Sequence, residues 1–138
     1  MLLRRNKLTS VVLAGLGVIL LAAGAGYANY RYEQHDLREE AEALTGGDIK
    51  RGERAFISYG CGSCHSIPGV SQAHGKVGPP LQGVGGRGIV GGRLENNPDN
   101  LMRWIVDPQS ISPGTAMPRL GVKPGEARDI SAFLYMQS

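Results

Sequence analysis

A chain of 138 residues with a net charge of +3 and a pI of about 9.1 invites a nucleic-acid reading, but the placement of its charges removes it. The whole excess sits in Arg4, Arg5 and Lys7; from residue 8 onward, twelve basic side chains face twelve acidic ones. The only two cysteines, Cys61 and Cys64, lie three residues apart and leave none for a disulfide framework.

The three N-terminal cations precede an uncharged run of 23 residues, Leu8 to Tyr30. A bilayer needs about 20 such residues in a helix. Positive charge ahead of the run predicts a cytoplasmic N-terminus and an exported remainder. Two small-x-small sites, Ala23-Gly24-Ala25 and Gly26-Tyr27-Ala28, would suit a cleaved signal peptide. The run is longer than the roughly 7–15 apolar residues of such a signal, and Tyr27 and Tyr30 stand where an interfacial aromatic belt belongs. A retained anchor is therefore expected over residues 1–28.

Residues 29–47 form a polar stalk. Arg31–Leu44 is rich in helix formers and has neither proline nor β-branched residues, so it should continue the membrane helix until Thr45-Gly46-Gly47 stops it. As a helix the stalk would reach about 28 Å. Residues 29–48 carry a net charge of −4, whereas 49–138 carry +4. A basic head of this kind suits an acidic docking surface; an ordinary solvated surface has the same composition.

Residues 48–138 are expected to form one small all-α domain. Asp48 is a good N-cap for a helix from Ile49 to about Tyr59, with Ile49, Gly52, Ala55, Phe56 and Tyr59 on one face. A second helix should begin at Asn97-Pro98, carry Leu101, Met102, Trp104 and Ile105, and end before Pro108. A third should run from Pro124 to about Gln137. No convincing alternating strand is visible between them. Gly83-Val84-Gly85-Gly86-Arg87-Gly88 matches Gly-x-Gly-x-x-Gly in letters, but Pro79-Pro80 precedes it and Gly91-Gly92 follows. A dinucleotide site needs a strand before that motif and a helix after it, so no nucleotide is expected.

The loop after the first head helix holds Cys61-Gly62-Ser63-Cys64-His65. Cys-x-x-Cys-His is the attachment signature of c-type haem. Two thiols at this spacing can each bond one vinyl group of a porphyrin, and the adjoining histidine is placed as an axial ligand of the iron. A redox dithiol would sit beside a βαβ pattern, and structural zinc would want a fourth ligand. The sixth iron position has several candidates: Met117, Met102, Met136, His74 and His35, or an open site. Met117 lies in a loop stiffened by Pro113, Gly114 and Pro118. Met102 and Met136 fall on predicted helices and read as core; His74 follows His65 by nine residues, and His35 belongs to the stalk.

Taken in order, these motifs resemble a class I cytochrome c of the mitochondrial and bacterial type, in a membrane-anchored form. The series runs Gly47-Asp48, Gly52, Phe56, Cys61-x-x-Cys64-His65, Gly78-Pro79-Pro80-Leu81-x-Gly83 and Gly86-Arg87. It continues through Asn100-Leu101-Met102-x-Trp104-Ile105-x-x-Pro108 and Pro113-Gly114-Thr115-x-Met117, and closes on Gly125-Glu126-x-x-Asp129-Ile130-x-x-Phe133-Leu134. The resemblance implies a three-helix cytochrome c domain around one covalent haem c. It implies that Cys61 and Cys64 form the thioethers, and that His65 and Met117 ligate the iron. It further implies that the Pro79 carbonyl orients His65, and that Arg87 faces a haem propionate. Gly52 and Phe56 should pack against Phe133 and Leu134. Trp104 takes a position near the methionine ligand that a tyrosine usually holds. Of the family's lysine-rich haem edge, only Lys50, Lys76 and Lys123 remain in the domain.

The function implied is one-electron transport by a carrier rather than an enzyme. The haem domain would lie on the periplasmic side of a bacterial inner membrane, exchanging electrons with membrane-bound complexes such as a quinol-oxidising complex and a terminal oxidase. A haem-bearing subunit of a larger oxidase or dehydrogenase is the alternative. Peroxidase chemistry or gas binding at a labile sixth position is a further one.

Overall fold

The structure is a computed structural model that describes residues 2–137, with side chains from Thr9 onward. The side chains of Arg4, Arg5 and Lys7, on which the expected membrane orientation rests, lie outside that description. The chain divides into two compact units, Met1–Asp36 and Leu37–Ser138.

A helix, α1, runs Leu2–Thr45 without interruption. In the first unit its described side chains are almost all exposed, including Val11, Leu13, Val18, Leu20 and Leu21. Its best window has a mean hydropathy of 2.1, and by length and composition it suffices to cross a membrane. Near its polar end, Arg31 donates to the Tyr27 hydroxyl at 3.0 Å and lies over the same ring.

In the second unit, the last turns of α1 contribute Ala41 and Thr45 to the buried interior. Gly46, at φ +68°, ends the helix as the glycine pair predicted. Asp48 then caps α2 (Ile49–Ser58) by accepting from the Arg51 amide at 2.7 Å. Asn97 caps α3 (Pro98–Val106) through the Asn100 amide at 2.9 Å, with Pro98 in its first turn. Pro108 does more than end α3. It opens a separate one-turn helix, α4 (Pro108–Ile111), capped by Asp107. The last helix, α5 (Pro124–Tyr135), starts at the predicted proline.

The principal crossing is α2 on α5, with α3 also packed on α5. Phe56 and Phe133 meet at its centre, their ring centroids 5.6 Å apart and tilted by 57°. Ile49, Leu101, Ile105, Ala127, Ile130 and Leu134 complete the core around them. Gly52 lets the helices close: a Cβ there would overlap the Asp129 carbonyl. The contact that demands glycine is thus the α5 backbone at Asp129–Ile130, beside the Phe133 and Leu134 side chains expected from the sequence.

One element was not foreseen. Ile89–Val90 (β1) and Leu94–Glu95 (β2) pair antiparallel, with Val90 opposite Leu94. Gly91 and Gly92, at φ +60° and +68°, turn the chain between them, and the Arg93 amide donates to the Val90 carbonyl at 3.2 Å. With Val90 opposite Leu94 the loop holds three residues, 91–93, and the positive φ at its first two positions is a backbone that glycine adopts without strain. Strands of two residues are too short to show an alternating pattern.

A polar clamp reinforces the α2–α5 crossing. Arg51 donates to both oxygens of Asp129, at 2.7 and 2.9 Å, and the Asp48 amide adds a bond at 2.8 Å. The hydrogen bond from Arg51 holds the Asp129 carboxyl below the usual carboxylate range. A carboxyl depressed in the folded state stabilises the fold above its unfolded value of about 3.9, and that contribution is lost as pH falls through the folded value. Asp129→Asn should therefore flatten the fall in denaturation midpoint below about pH 4, as read by chemical unfolding across a pH series.

The Gly52 contact makes a second prediction whose sign is set by competing effects. Glycine to alanine in an open helix gains roughly 0.5–1 kcal/mol, whereas forcing an extra carbon into a filled site costs about 1–3 kcal/mol. Gly52→Ala should lower the unfolding midpoint because backbone cannot move aside. Gly125→Ala, with open space around it, should leave the midpoint unchanged or raise it.

Candidate functional site

The haem-attachment motif lies on a tight turn that the backbone pins from several sides. Gly60, at φ +69°, turns the chain out of α2 into a single 3-10 turn, Cys61–Ser63. The His65 amide donates to the Cys61 carbonyl at 3.0 Å. The Gly75 amide reaches the Gly62 and His65 carbonyls, and the Gly78 amide reaches that of Cys64 at 2.8 Å. The segment 72–78 therefore forms a bed under the motif. Glycines make the approach possible, since a Cβ on Gly62 would overlap the Gln72 backbone and one on Gly75 that of Ser63–Cys64.

His65 is oriented by this bed. Its Nδ1–H donates to the Pro79 carbonyl at 2.8 Å, and a Cβ on Gly78 would strike the imidazole ring. The tautomer follows from the bond: Nδ1 carries the proton, and Nε2 keeps its lone pair for a metal.

Cys61, Cys64 and His65 line a cavity of about 560 Å³. Its walls are predominantly apolar, drawn from Phe56, Leu101, Ile105, Ile130 and Leu134, and it also takes in Arg87, Trp104 and Met117. All seven residues singled out in the sequence thus border one space, Pro79 included. The other candidates for the sixth position do not. Met102 and Met136 pack against the core, His74 turns its Nδ1–H to the Ser71 carbonyl at 3.1 Å, and His35 belongs to the other unit.

The donor set and the cavity fit a haem. A volume of this order suits a large ligand, and an apolar wall with few polar groups is what such pockets present. Burial pushes the Cys61 thiol up to about 11. It is therefore neutral at physiological pH, unlike the depressed, thiolate-forming cysteine of a redox dithiol. Among the described residues, Cys61, Cys64 and His65 do not converge on a common point as zinc ligands would.

Two side chains take partners that the sequence did not reveal. Arg87 donates to the Pro80 and Gln82 carbonyls, at 2.6 and 2.9 Å, so it fixes the loop that carries the His65 acceptor. Trp104 rests its ring against Gly91, where a Cβ would overlap the indole. Its N–H donates to no described residue. The hairpin turn thus serves as the seat of the tryptophan, a pairing across the chain that no local pattern announces. Gln109, Asp107 and Arg119 also went unnoticed, although together they frame the Met117 loop.

Comparison with known proteins agrees with this geometry. Residues 49–137 match the family model described as Cytochrome c. Subunit 2 of the cytochrome c oxidase of Alkalihalophilus pseudofirmus is 38% identical over 79 residues, covering 57% of this chain and 22% of the subunit. The cytochrome c2 of Agrobacterium tumefaciens is 32% identical over 109 residues, covering 67% of this chain and 94% of that protein. The cytochrome c-550 of Nitrobacter winogradskyi is 36% identical over 89 residues, covering 56% of this chain and 78% of its own. The chain spans only about a fifth to a quarter of the oxidase subunits it matches. A comparison with solved structures finds no significant match. With the attachment motif on the wall of an apolar cavity and the family model covering the surrounding helices, the chain belongs to the cytochrome c family of electron carriers, with haem c covalently bound.

Proposed function

We propose that this chain is a membrane-anchored mono-haem cytochrome that moves single electrons between membrane-bound complexes, its iron held between His65 and Met117. The observation that carries the ligand assignment is the fixed imidazole: Nδ1 is committed to Pro79 at 2.8 Å, so Nε2 is available on the same cavity that Met117 lines. When bound, the haem supplies one-electron redox chemistry at an iron whose potential a methionine ligand raises.

The residues around it have separable tasks. Cys61 and Cys64 hold the group through thioether bonds. Pro79 sets the tautomer and ring plane of His65. Arg87, braced on the Pro80 and Gln82 carbonyls, keeps that acceptor in place and brings positive charge to the cavity edge, where the propionates would lie. Phe56, Ile105, Ile130 and Leu134 line the cavity and would shield a bound haem from water. Trp104, seated on Gly91, walls the cavity beside the Met117 loop.

The first half of α1 serves as the anchor in this reading. Its apolar side chains are exposed in the first unit, and the cations at its start favour a cytoplasmic N-terminus. The haem domain then faces the periplasm, and a quinol-oxidising complex and a terminal oxidase are the natural donor and acceptor. A second reading has its own support: the 38% identity to part of an oxidase subunit 2 favours a stable haem-bearing subunit of a larger complex. Purification in mild detergent separates the two, since stoichiometric co-purification with oxidase or dehydrogenase subunits supports the second and sinks the free carrier.

The ligand assignment predicts a low-spin spectrum with a sulfur-to-iron charge-transfer band, and a reduced form that binds carbon monoxide only slowly. Met117→Ala should remove the band, open the iron to carbon monoxide and lower the potential, axial ligands spanning roughly 0.8 V in all. A wild-type protein that is high-spin and binds carbon monoxide at once would move the gas-binding or peroxidase reading to the front.

A further inference from the structure

Met117 stands in an irregular stretch, Ser112–Lys123, between α4 and α5. No helix or strand fixes this segment, so its position rests on what its backbone is tied to. One side chain supplies three ties. The Gln109 amide donates through Nε2 to the Thr115 carbonyl at 2.8 Å and to the carbonyl of Met117 itself at 2.9 Å. Its Oε1 accepts from the Gly114 amide at 3.1 Å. The partners fix the orientation, because a reversed amide would set a donor against the Gly114 N–H and an acceptor against two carbonyls.

A second tie closes the far end of the loop. Arg119 donates to Asp107 through Nε at 3.0 Å and through Nη2 at 2.5 Å, a two-pronged pair. Asp107 is itself fixed, since its side chain caps α4 through the Ser110 amide and its own amide donates to the Arg103 carbonyl. Between the two anchors lies Pro108, which is fully buried. Both ties therefore spring from one short, rigid piece of chain, Asp107–Gln109, and bracket Met117 from either side. Pro113 and Pro118 stiffen the remaining backbone.

We propose that Gln109 and the Asp107–Arg119 pair are positioning residues that hold the Met117 thioether ready for the iron. This rests on the reading of Met117 as the sixth ligand. A neutral thioether is a weak donor. How far it keeps competing ligands off the iron then depends on how little freedom its loop must give up to place it. Three backbone bonds to one amide remove that freedom in advance.

The test uses the full chain matured with its haem, and reads the sulfur-to-iron band and the rate of carbon monoxide binding to the reduced form. Gln109→Leu removes all three bonds; Gln109→Glu keeps an acceptor for Gly114 and loses both donors. Both should weaken the band and bind carbon monoxide roughly ten-fold faster than wild type, the order expected for one or two net hydrogen bonds. Arg119→Gln, at an exposed side chain, should shift the rate in the same direction by a smaller factor, and it serves as the readable variant where the Gln109 variants do not fold. A lowered unfolding midpoint with band and rate intact at low temperature would mean a structural role only, and overturns the proposal. Met117→Ala run in parallel separates the two levels. If it loses the band while the Gln109 and Arg119 variants keep wild-type band and rate, only the positioning role falls. If wild type has no band and Met117→Ala changes nothing, the ligand assignment falls and takes this proposal with it.

Discussion

An imidazole has two nitrogens, and it can serve a metal in a defined way only when something else occupies the second. In this chain that partner is the Pro79 carbonyl, at 2.8 Å from His65 Nδ1. Much of the domain's irregular backbone exists to hold it there. The carbonyl belongs to a loop that cannot donate from Pro79 or Pro80 and so has few bonds of its own. It is kept in place from below by Gly75 and Gly78, whose amides bond back to the attachment motif. From the side it is kept by Arg87, whose guanidinium spans the Pro80 and Gln82 carbonyls. The glycines at 62, 75 and 78 follow from the same constraint, since two chain segments and an aromatic ring must pass within contact distance of one another.

The helices answer a different requirement. A domain of about ninety residues has little interior to spare, yet this one places a cavity of about 560 Å³ among its core side chains. Phe56, Leu101, Ile105, Ile130 and Leu134 belong both to the core and to the cavity wall. The haem therefore completes the interior as well as occupying it. What the helices must supply without its help is one tight seam. The α2–α5 crossing provides it, with backbone contact at Gly52, the Phe56–Phe133 pair and the Arg51–Asp129 clamp. The site then hangs from loops that this seam supports.

Legibility in the sequence follows the range of the interactions. Features set by a residue and its near neighbours could be read directly: the caps Asp48 and Asn97, Pro98 and Pro124 opening their helices, Gly46 ending α1, and the spacing of Cys61, Cys64 and His65. Pro79 was implied by family likeness and stands where the ring needs it. What could not be read were pairings between residues whose local context looks ordinary. Gly91 and Gly92 read as more loop in a glycine-rich stretch, yet they turn a hairpin, and Gly91 seats Trp104. Asp107 carries no mark of its own before Pro108, yet it caps α4 and its oxygens also take Arg119. Gln109 carries no signal at all, because an amide bonds to any backbone that the fold brings near it.

The charge pattern bears on how such a protein meets its partners. A freely diffusing carrier gains encounter rate from a strong field on its docking face, by roughly 10–10³-fold. The head here is modestly charged, ten basic groups against six acidic ones over residues 49–138, and two of the basic groups, Arg51 and Arg119, are spent on internal ion pairs. Meanwhile the apolar Val77, Ile89 and Leu120 are exposed around the cavity. On the proposed reading the membrane helix replaces steering. Confinement to the same membrane raises the local concentration of membrane-bound partners whatever the salt, so the surface of the head is free to be tuned for brief, unspecialised contact. On that reading a weak field and a membrane anchor go together, and the exposed apolar side chains on the cavity wall are where such contact would be made.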